Sequence, residues 1–283
     1  MKKIILIISI LILGCETNEK GDNAKWQFDP SDGVYIQWSG DNELANEMLH
    51  NAFIHLYNVE REKAMTMFEK VLDYDSSLFG PHVVLAGLSI DGSEKQKMHI
   101  SKAKELVKDN NETSKIFVSL LDLPMKGANW PMITEGAHDK WATMREIEQK
   151  GKLIHYYYAF TIPGMENKIK EMEGLLAELK DQTGDENSLP TSGDHAFMIA
   201  PVINTLGYFY YNLGDKEKSK ALFEQYIELY PNGYNSYDSM GEFYFNEGDM
   251  ENALKYYNKA IEMYPPAVSA NSMISEIGEL KKD

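Results

Sequence analysis

Cysteine is almost absent from this chain of 283 residues, in which Cys15 is the single one. A lone cysteine has no partner for a disulfide within the chain. Cys15 stands directly after an apolar stretch at the N-terminus and not in the body of the sequence. The sequence therefore predicts a fold without disulfides and ties the role of Cys15 to the N-terminal segment.

The short motifs that mark common catalytic and cofactor sites are also missing. The sequence contains no H-E-x-x-H pair, no G-x-S-x-G nucleophile turn and no glycine-rich phosphate loop. Its seven histidines are scattered, without the spacing of metal ligands. We therefore predict no catalytic residue, no metal ligand and no cofactor, and we expect that the protein is not an enzyme.

An excess of positive charge is missing as well. The formal net charge is -16, because 28 lysines and arginines stand against 44 aspartates and glutamates. Such a chain is repelled by nucleic acid and by anionic lipid headgroups. We therefore expect no nucleic-acid partner, and membrane attachment has to rely on something other than a basic surface.

The N-terminal segment offers such an attachment. Its apolar run, from Ile4 to Leu13, follows a lysine pair and is shorter than the roughly 20 residues that cross a bilayer. A charged start, a short apolar core and a small residue are typical of a secretory signal peptide, which we assign to residues 1–14. The sequence Ile12-Leu13-Gly14-Cys15 resembles a bacterial lipobox, which implies that Cys15 is lipidated, supplies no thiolate metal ligand and begins the mature chain. The alternative is a cysteine that stands by chance in an ordinary signal peptide.

Residues 15–40 are predicted to form a polar tether that ends in an aromatic arm. The arm carries Trp26, Phe28, Tyr35 and Trp38 among prolines and glycines. We expect it to dock in an extended form on the first helices. N-terminal packing is favoured over ligand binding as the role of these rings.

From residue 41 onward the sequence follows a helical pattern, and its clearest part repeats at a spacing of 34 residues. The small residues of this repeat let paired helices approach closely, the aromatic residue fills the remaining space, and the proline ends the second helix. The first copy has Ile203, Leu206, Gly207, Tyr210, Ser219, Phe223 and Pro231, and the second has Tyr237, Met240, Gly241, Tyr244, Ala253, Tyr257 and Pro265.

These positions follow the pattern W-x2-L-G-x2-Y…A-x3-F…P, so the sequence resembles the tetratricopeptide repeat family. The resemblance implies an all-α fold, an α-solenoid of stacked antiparallel helix pairs in a right-handed superhelix, with about five to six repeats. We expect degenerate helical repeats over residues 41–194, two well-formed repeats over residues 195–265 and a capping helix over residues 266–283.

In this family, ligands commonly lie in a concave groove that is lined by the first helix of each repeat. Carried over to this sequence, the groove-binding candidates are Asn204, Tyr208, Tyr211, Asn212, Asp238, Glu242, Phe245 and Asn246. None is a lysine or arginine, so the clamp with which one subgroup grips peptide carboxylates is not expected. Aromatic, amide and acidic side chains suit an extended peptide or a basic partner. Packing between repeats is an equally weighted role for the tyrosines.

Together these features predict a membrane-anchored scaffold lipoprotein that binds a protein or peptide partner in the bacterial cell envelope, and we expect the outer membrane. The identity of the partner and the face of the membrane stay open. One alternative is a glycan-binding envelope lipoprotein, which the groove aromatics favour. Another is an accessory lipoprotein of an outer-membrane assembly complex, which would share the anchor and the repeat array.

Overall fold

The computed structural model describes residues 36–124, 131–181 and 196–280 of the chain. These ranges form α-helices joined by turns and short 3-10 helices, and no strand occurs in them. The predicted all-α fold of stacked helix pairs is therefore confirmed. The α-helices are α1 (Glu43–Tyr57), α2 (Arg61–Tyr74), α3 (Phe79–Leu88), α4 (Glu94–Leu106), α5 (Glu112–Ser119), α6 (Ala137–Ile147), α7 (Lys152–Thr161), α8 (Met165–Asp181), α9 (Ala196–Leu213), α10 (Lys216–Leu229), α11 (Tyr234–Asn246), α12 (Met250–Met263) and α13 (Val268–Leu280). The 3-10 helices span Val107–Asp109, Leu120–Asp122 and Pro131–Ile133.

Consecutive helices pack as antiparallel pairs, from α1 with α2 to α11 with α12, and α13 covers the last pair. The turns inside the last two pairs are short because Gly214 and Gly248 adopt positive φ angles, which glycine does without steric penalty. Asp215 and Asp249 follow these glycines, and each accepts a hydrogen bond from the backbone N–H three residues ahead. This capping fixes the start of α10 and of α12.

The arm that precedes α1, described over residues 36–40, packs on the first helices. The ring of Trp38 is only 2% exposed, with its centroid 4.6 Å from that of Phe53 in α1 and 4.7 Å from that of Phe117 in α5. A Cβ atom on Gly80 of α3 would lie 2.2 Å from the Trp38 ring, so only glycine leaves room for the indole. The other rings of the predicted arm, which lie outside the described residues, are Trp26, Phe28 and Tyr35.

The first helices of the pairs face one another across a common interior. Tyr57 of α1 meets Tyr156 and Tyr157 of α7, with ring centroids 5.6 and 6.1 Å apart. The hydroxyl of Tyr156 lies 2.8 Å from that of Thr205 in α9. One cluster of buried apolar side chains therefore joins the arm to α1, α3, α5, α7 and α9, and we call this cluster the shared core. The helices α11, α12 and α13 pack around a separate cluster.

The first helix pair also touches the later repeats. The hydroxyl of Tyr226 in α10 donates a hydrogen bond of 3.1 Å to Asn58 Oδ1, 168 positions earlier in the sequence. The hydroxyl of Tyr230 donates a hydrogen bond of 3.0 Å to Glu60 Oε2, 170 positions earlier. In a simple solenoid each repeat contacts only its neighbours. Here the turn between α1 and α2 is in direct contact with the fifth helix pair.

Candidate functional site

The eight residues predicted to line a groove lie on α9 and α11, beside the shared core. Asn204 and Asp238 are buried, with exposed fractions of 4% and 6%, whereas Asn212 and Asn246 are exposed. The half-buried members of the set are Tyr208, Tyr211, Glu242 and Phe245. The set thus runs along each helix from a buried polar side chain to an exposed amide at the C-terminal end. Together with Ser269, Glu276 and Glu279, which are exposed on α13, these residues form what we call the candidate surface.

Hydrogen bonds join Tyr208 and Tyr211 of α9 to carboxylates of the following repeat. The Tyr208 hydroxyl donates to Glu242 Oε2 at 2.7 Å, and these two residues occupy equivalent repeat positions. The Tyr211 hydroxyl donates to Glu247 Oε1 at 2.9 Å, and Lys216 pairs with the same carboxylate. Both tyrosine rings therefore link adjacent repeats while they remain partly exposed on the candidate surface.

Asp238 lies at the centre of an acidic cluster, which we define as Asp238, Glu242 and Glu62. The Ser269 hydroxyl of α13 donates to Asp238 Oδ2 at 2.9 Å, whereas Asp238 Oδ1 has no hydrogen-bond partner within the described residues. Burial, together with the charges of Glu242 and Glu62, raises the pKa of Asp238 to about 6. The negative charge of Asp238 is therefore poorly compensated by the protein itself.

Three further buried polar atoms on these repeats have no partner in the part of the chain that the structure describes, namely Asn204 Oδ1, Ser219 Oγ and the Tyr257 hydroxyl. Asn204 is the equivalent of Asp238 in the preceding repeat, and its Oδ1 atom accepts no hydrogen bond. The Tyr257 hydroxyl is also unpartnered, and burial, followed by the charges of Asp238 and Glu242, raises its pKa. Buried polar atoms are normally hydrogen-bonded. These repeats therefore contain free hydrogen-bonding atoms, and all of these atoms can accept a hydrogen bond.

The repeated glycines lie where the paired helices meet. A Cβ atom on Gly207 would lie 2.7 Å from the ring of Phe223, and one on Gly241 would lie 2.7 Å from the ring of Tyr257. These contacts hold α9 against α10, and α11 against α12, at close range. Of the other repeat positions, Tyr210 and Ala253 are buried, Tyr244 stacks on Tyr256 with ring centroids 5.5 Å apart, and Pro231 and Pro265 are exposed after α10 and α12.

Glu60 makes a long-range contact that the sequence patterns did not predict. It begins α2 at the position where Asp215 and Asp249 begin α10 and α12, but it does not cap its own helix. Its Oε1 atom instead accepts a hydrogen bond of 2.9 Å from the backbone N–H of Tyr234, at the start of α11. The only indication in the sequence is the residue type. Glutamate at position 60 has a longer side chain than the aspartates at the equivalent positions, so it can reach beyond its own helix.

The carboxylate of Glu60 is fully buried, and the side chains of His55 and Lys63 hold it in place. His55 Nδ1 lies 2.6 Å and Lys63 Nζ 3.2 Å from Glu60 Oε2. Burial raises the pKa of Glu60, but the hydrogen bonds from His55 and Lys63 outweigh burial and leave the pKa below its ordinary value. Glu60 therefore stays ionised at neutral pH and links the first helix pair to α11.

The structure also brings together two histidines that stand 17 positions apart in the sequence. His82 Nδ1 of α3 lies 2.8 Å from His99 Nδ1 of α4, and both rings are buried. Burial, followed by the charges of His99 and Lys102, lowers the pKa of His82 to about 4, and burial also lowers the pKa of His99. Both rings are therefore neutral near pH 7 and share a hydrogen bond in the packing of α3 on α4.

Residues 36–124, 131–181 and 196–280 contain neither a metal-binding cluster nor a membrane-spanning helix. In these ranges no three histidine, cysteine or acidic side chains come together in a way that could hold a metal ion. No helix within them has the length and the apolar character needed to cross a membrane. Cys15, the predicted lipidation site, lies outside the described residues.

Several solved structures align with this chain at low identity. A chain of the APC/C hetero-tetramer Cut9-Hcn1 aligns over 82% of this chain and 42% of its own length, at 16% identity and a TM-score of 0.45, so this chain spans less than half of it. A thermophilic TPR protein of Thermus thermophilus aligns over 82% of this chain and 98% of its own, at 18% identity and a TM-score of 0.37. The MamA protein aligns over 78% and 92%, at 17% identity and a TM-score of 0.30.

No curated protein matches this sequence. The family model of the tetratricopeptide repeat matches it twice, at residues 200–232 and 234–266. The first match covers most of α9 with α10, and the second covers α11 with α12. Both matches carry the close glycine–aromatic contact described above. These two segments are therefore consecutive tetratricopeptide repeats in a helical scaffold that is consistent with protein–protein interaction.

Proposed function

We propose that this protein is a membrane-anchored scaffold that binds a segment of another protein through the candidate surface of α9, α11 and α13. One observation carries the proposal. The first helices α3 and α7 are almost entirely buried, whereas α11 and α13 lie outside the shared core and keep polar and aromatic side chains at the surface. Stacked repeats whose first helices are accessible offer a continuous surface for an extended peptide.

The side chains of the candidate surface suit such a peptide. Tyr211 and Phe245 offer partly exposed rings at equivalent repeat positions, and Asn212 and Asn246 offer exposed amides beside them. Aromatic rings can pack against the side chains of an extended segment, and amides can hydrogen-bond to its backbone. The chemistry supports a binding role without catalysis.

The proposed anchor is a lipid on Cys15, which would place the protein in the bacterial cell envelope, on the outer membrane. It is supported by the lipobox-like sequence that ends at Cys15. More than one acyl chain gives stable attachment where a single chain does not. The variant Cys15→Ser should lose the lipid in mass spectrometry and leave the membrane fraction. An unmodified Cys15 in the wild-type protein would rule the anchor out.

The binding role can be tested by cross-linking from the candidate surface. A photoreactive benzoylphenylalanine would replace Phe245 in one variant and Glu228, which is exposed on α10, in a control variant. We expect an adduct in cell-envelope membranes from position 245 that is missing from position 228, with the cross-links confined to one short segment of the captured protein. Identical adducts from both positions would contradict the proposal.

A further inference from the structure

We infer that the segment bound by the candidate surface is basic, and that the acidic cluster of Asp238, Glu242 and Glu62 binds one of its lysine or arginine side chains. This inference rests on the proposed function, because it names the chemistry of the partner of that same surface. It is carried by the distribution of charge, by the way the carboxylates are held and by unpartnered acceptors.

Charge is segregated between the two kinds of helix in the last repeats. The helices that carry the candidate surface, α9, α11 and α13, contain no lysine or arginine, and their charged residues are all acidic. The outer helices α10 and α12 carry the lysines, namely Lys216, Lys218, Lys220, Lys255 and Lys259. Five glutamates on α10 and α12 balance these lysines, so the net negative charge of these repeats lies on the proposed binding side, where it would attract a cationic segment and repel an acidic one.

The three carboxylates of the cluster are oriented by hydroxyl groups and not by cations. A hydroxyl donor fixes a carboxylate in place but does not neutralise its charge. The donor–acceptor pairs are Ser269 with Asp238 at 2.9 Å, Tyr208 with Glu242 at 2.7 Å, and Tyr234 with Glu62 at 2.7 Å. Lys63, which follows Glu62 in the sequence, is paired with the buried Glu60. The cluster is thus positioned in advance and keeps its negative charge.

Unpartnered acceptors give independent support for a bound donor. The Oδ1 atoms of Asp238 and Asn204 have no hydrogen-bond partner among the described residues, although each side chain is more than nine-tenths buried. The two residues occupy the same position of consecutive repeats. What this position lacks is a donor, and ammonium and guanidinium groups donate several hydrogen bonds and accept none. Tyrosine rings next to the cluster, such as that of Tyr208, can add a cation–π contact.

The test begins by identifying a binding segment for the full-length chain. A phage-displayed library of random twelve-residue peptides would be selected on the wild-type protein. We expect the selected peptides to share a lysine or arginine. A chosen peptide would then be synthesised with that residue and with norleucine in its place, and binding would be measured by fluorescence anisotropy. We expect the cationic peptide to bind about tenfold more tightly.

The protein variants tie the effect to Asp238. Asp238→Asn keeps an acceptor for Ser269 but removes the charge, so it should lose about tenfold in affinity for the cationic peptide and bind the norleucine peptide as before. Glu228→Gln removes the same charge from the exposed face of α10 and should bind both peptides like the wild type. Circular dichroism and urea unfolding would establish that both variants are folded.

The possible failures are distinguishable. Selected peptides that share no basic residue, or equal affinity of wild type and Asp238→Asn for the cationic peptide, would overturn the inference and leave the proposed function standing. If no peptide is selected and cross-linking from position 245 captures no partner, the proposed function fails as well. We expect the difference in affinity between the cationic and the norleucine peptide to grow at low salt, because the contact is electrostatic.

Discussion

At the scale of single residues, Val59 shows how the first repeat departs from the later ones. It has a φ of 59°, in the turn position that Gly214 and Gly248 occupy with φ angles of 95° and 80°. A β-branched residue is strained in this left-handed region by about 1–2 kcal/mol. Glycine relieves the strain but adds freedom to the unfolded chain.

We therefore expect Val59→Gly to stabilise the protein by about 0.5–1 kcal/mol, because the relief of strain exceeds the entropic loss. The measurement is the midpoint of urea unfolding. The reverse change in the fifth helix pair, Gly214→Val, serves as the matched control and should destabilise by about 1–2 kcal/mol. A lower midpoint for Val59→Gly would show that the turn is not strained.

Asp238 leads to a prediction about stability and pH. Its pKa is raised from 3.8 to about 6 by burial and by neighbouring carboxylates. A raised folded-state pKa means that the contribution of this carboxyl to stability is full below pH 3.8 and is lost as pH rises to about 6. The neutral variant Asp238→Asn should therefore be more stable than wild type at pH 7.5, by about 1–3 kcal/mol.

The comparison requires urea unfolding of both proteins at pH 7.5 and at pH 4, where the advantage of Asp238→Asn should shrink. Asp249→Asn is the control, because hydrogen bonds within its own turn lower the pKa of Asp249, so no gain is expected there. If Asp238→Asn is more stable than wild type but binds the peptide more weakly, the charge of Asp238 serves binding at the expense of stability. Equal stability at pH 7.5 would contradict the assignment of an uncompensated charge.

At the scale of elements, the arm over residues 36–40 behaves as part of the core. Trp38 fills the space between α1, α3 and α5, and the absence of a side chain on Gly80 makes this possible. We expect Trp38→Ala to destabilise the protein by about 3–5 kcal/mol, as for other buried aromatic residues. Urea unfolding is the measurement, and Ile90→Ala, at a side chain that is 82% exposed, is the control with a change below about 0.5 kcal/mol. A loss of under about 1 kcal/mol for Trp38→Ala would mean that the arm contributes little.

The elements also show what the sequence could predict. The last repeats were predictable because their contacts are local: Gly207 meets Phe223, and Gly241 meets Tyr257, at a fixed spacing within each helix pair. The enclosure of α7 was not predictable. Tyr156 and Tyr157 of α7 pack on Tyr57 of α1. The residue spacing within a single repeat cannot indicate a contact between residues so far apart in the sequence.

The candidate site also has a part that the sequence predicted and a part that only the structure shows. The family resemblance predicted the positions on α9 and α11. The structure shows which of them are buried, how Ser269 of α13 orients Asp238, and how Glu62 of α2 completes the acidic cluster. Glu62 is far from α11 in the sequence and carries no pattern of its own. Its place next to Asp238 follows from the contact between the first pair and α11, so it required the tertiary structure.

At the scale of the whole molecule, the contact through Glu60 changes how the array should unfold. Solenoids that contact only their neighbours can open one repeat at a time. Here Glu60 joins the turn before α2 to the start of α11, and Tyr226 reinforces the contact through Asn58. Loosening the first pair should therefore loosen α11, across a sequence separation of 174 residues.

We expect Glu60→Ala to destabilise the protein by about 3–5 kcal/mol, because it leaves Lys63 and the backbone N–H of Tyr234 without their buried partner. Asp215→Ala removes the equivalent carboxylate of the fifth pair, which caps only its own helix, and should lose about 0.5–2 kcal/mol. Hydrogen exchange should show faster exchange at the start of α11 in Glu60→Ala and not in Asp215→Ala. Because the pKa of Glu60 lies below 4.5, the difference between wild type and Glu60→Ala should persist above that pH and shrink as the carboxylate is protonated in more acidic solution. Unchanged exchange at α11 in Glu60→Ala would mean that the first and last repeats open independently.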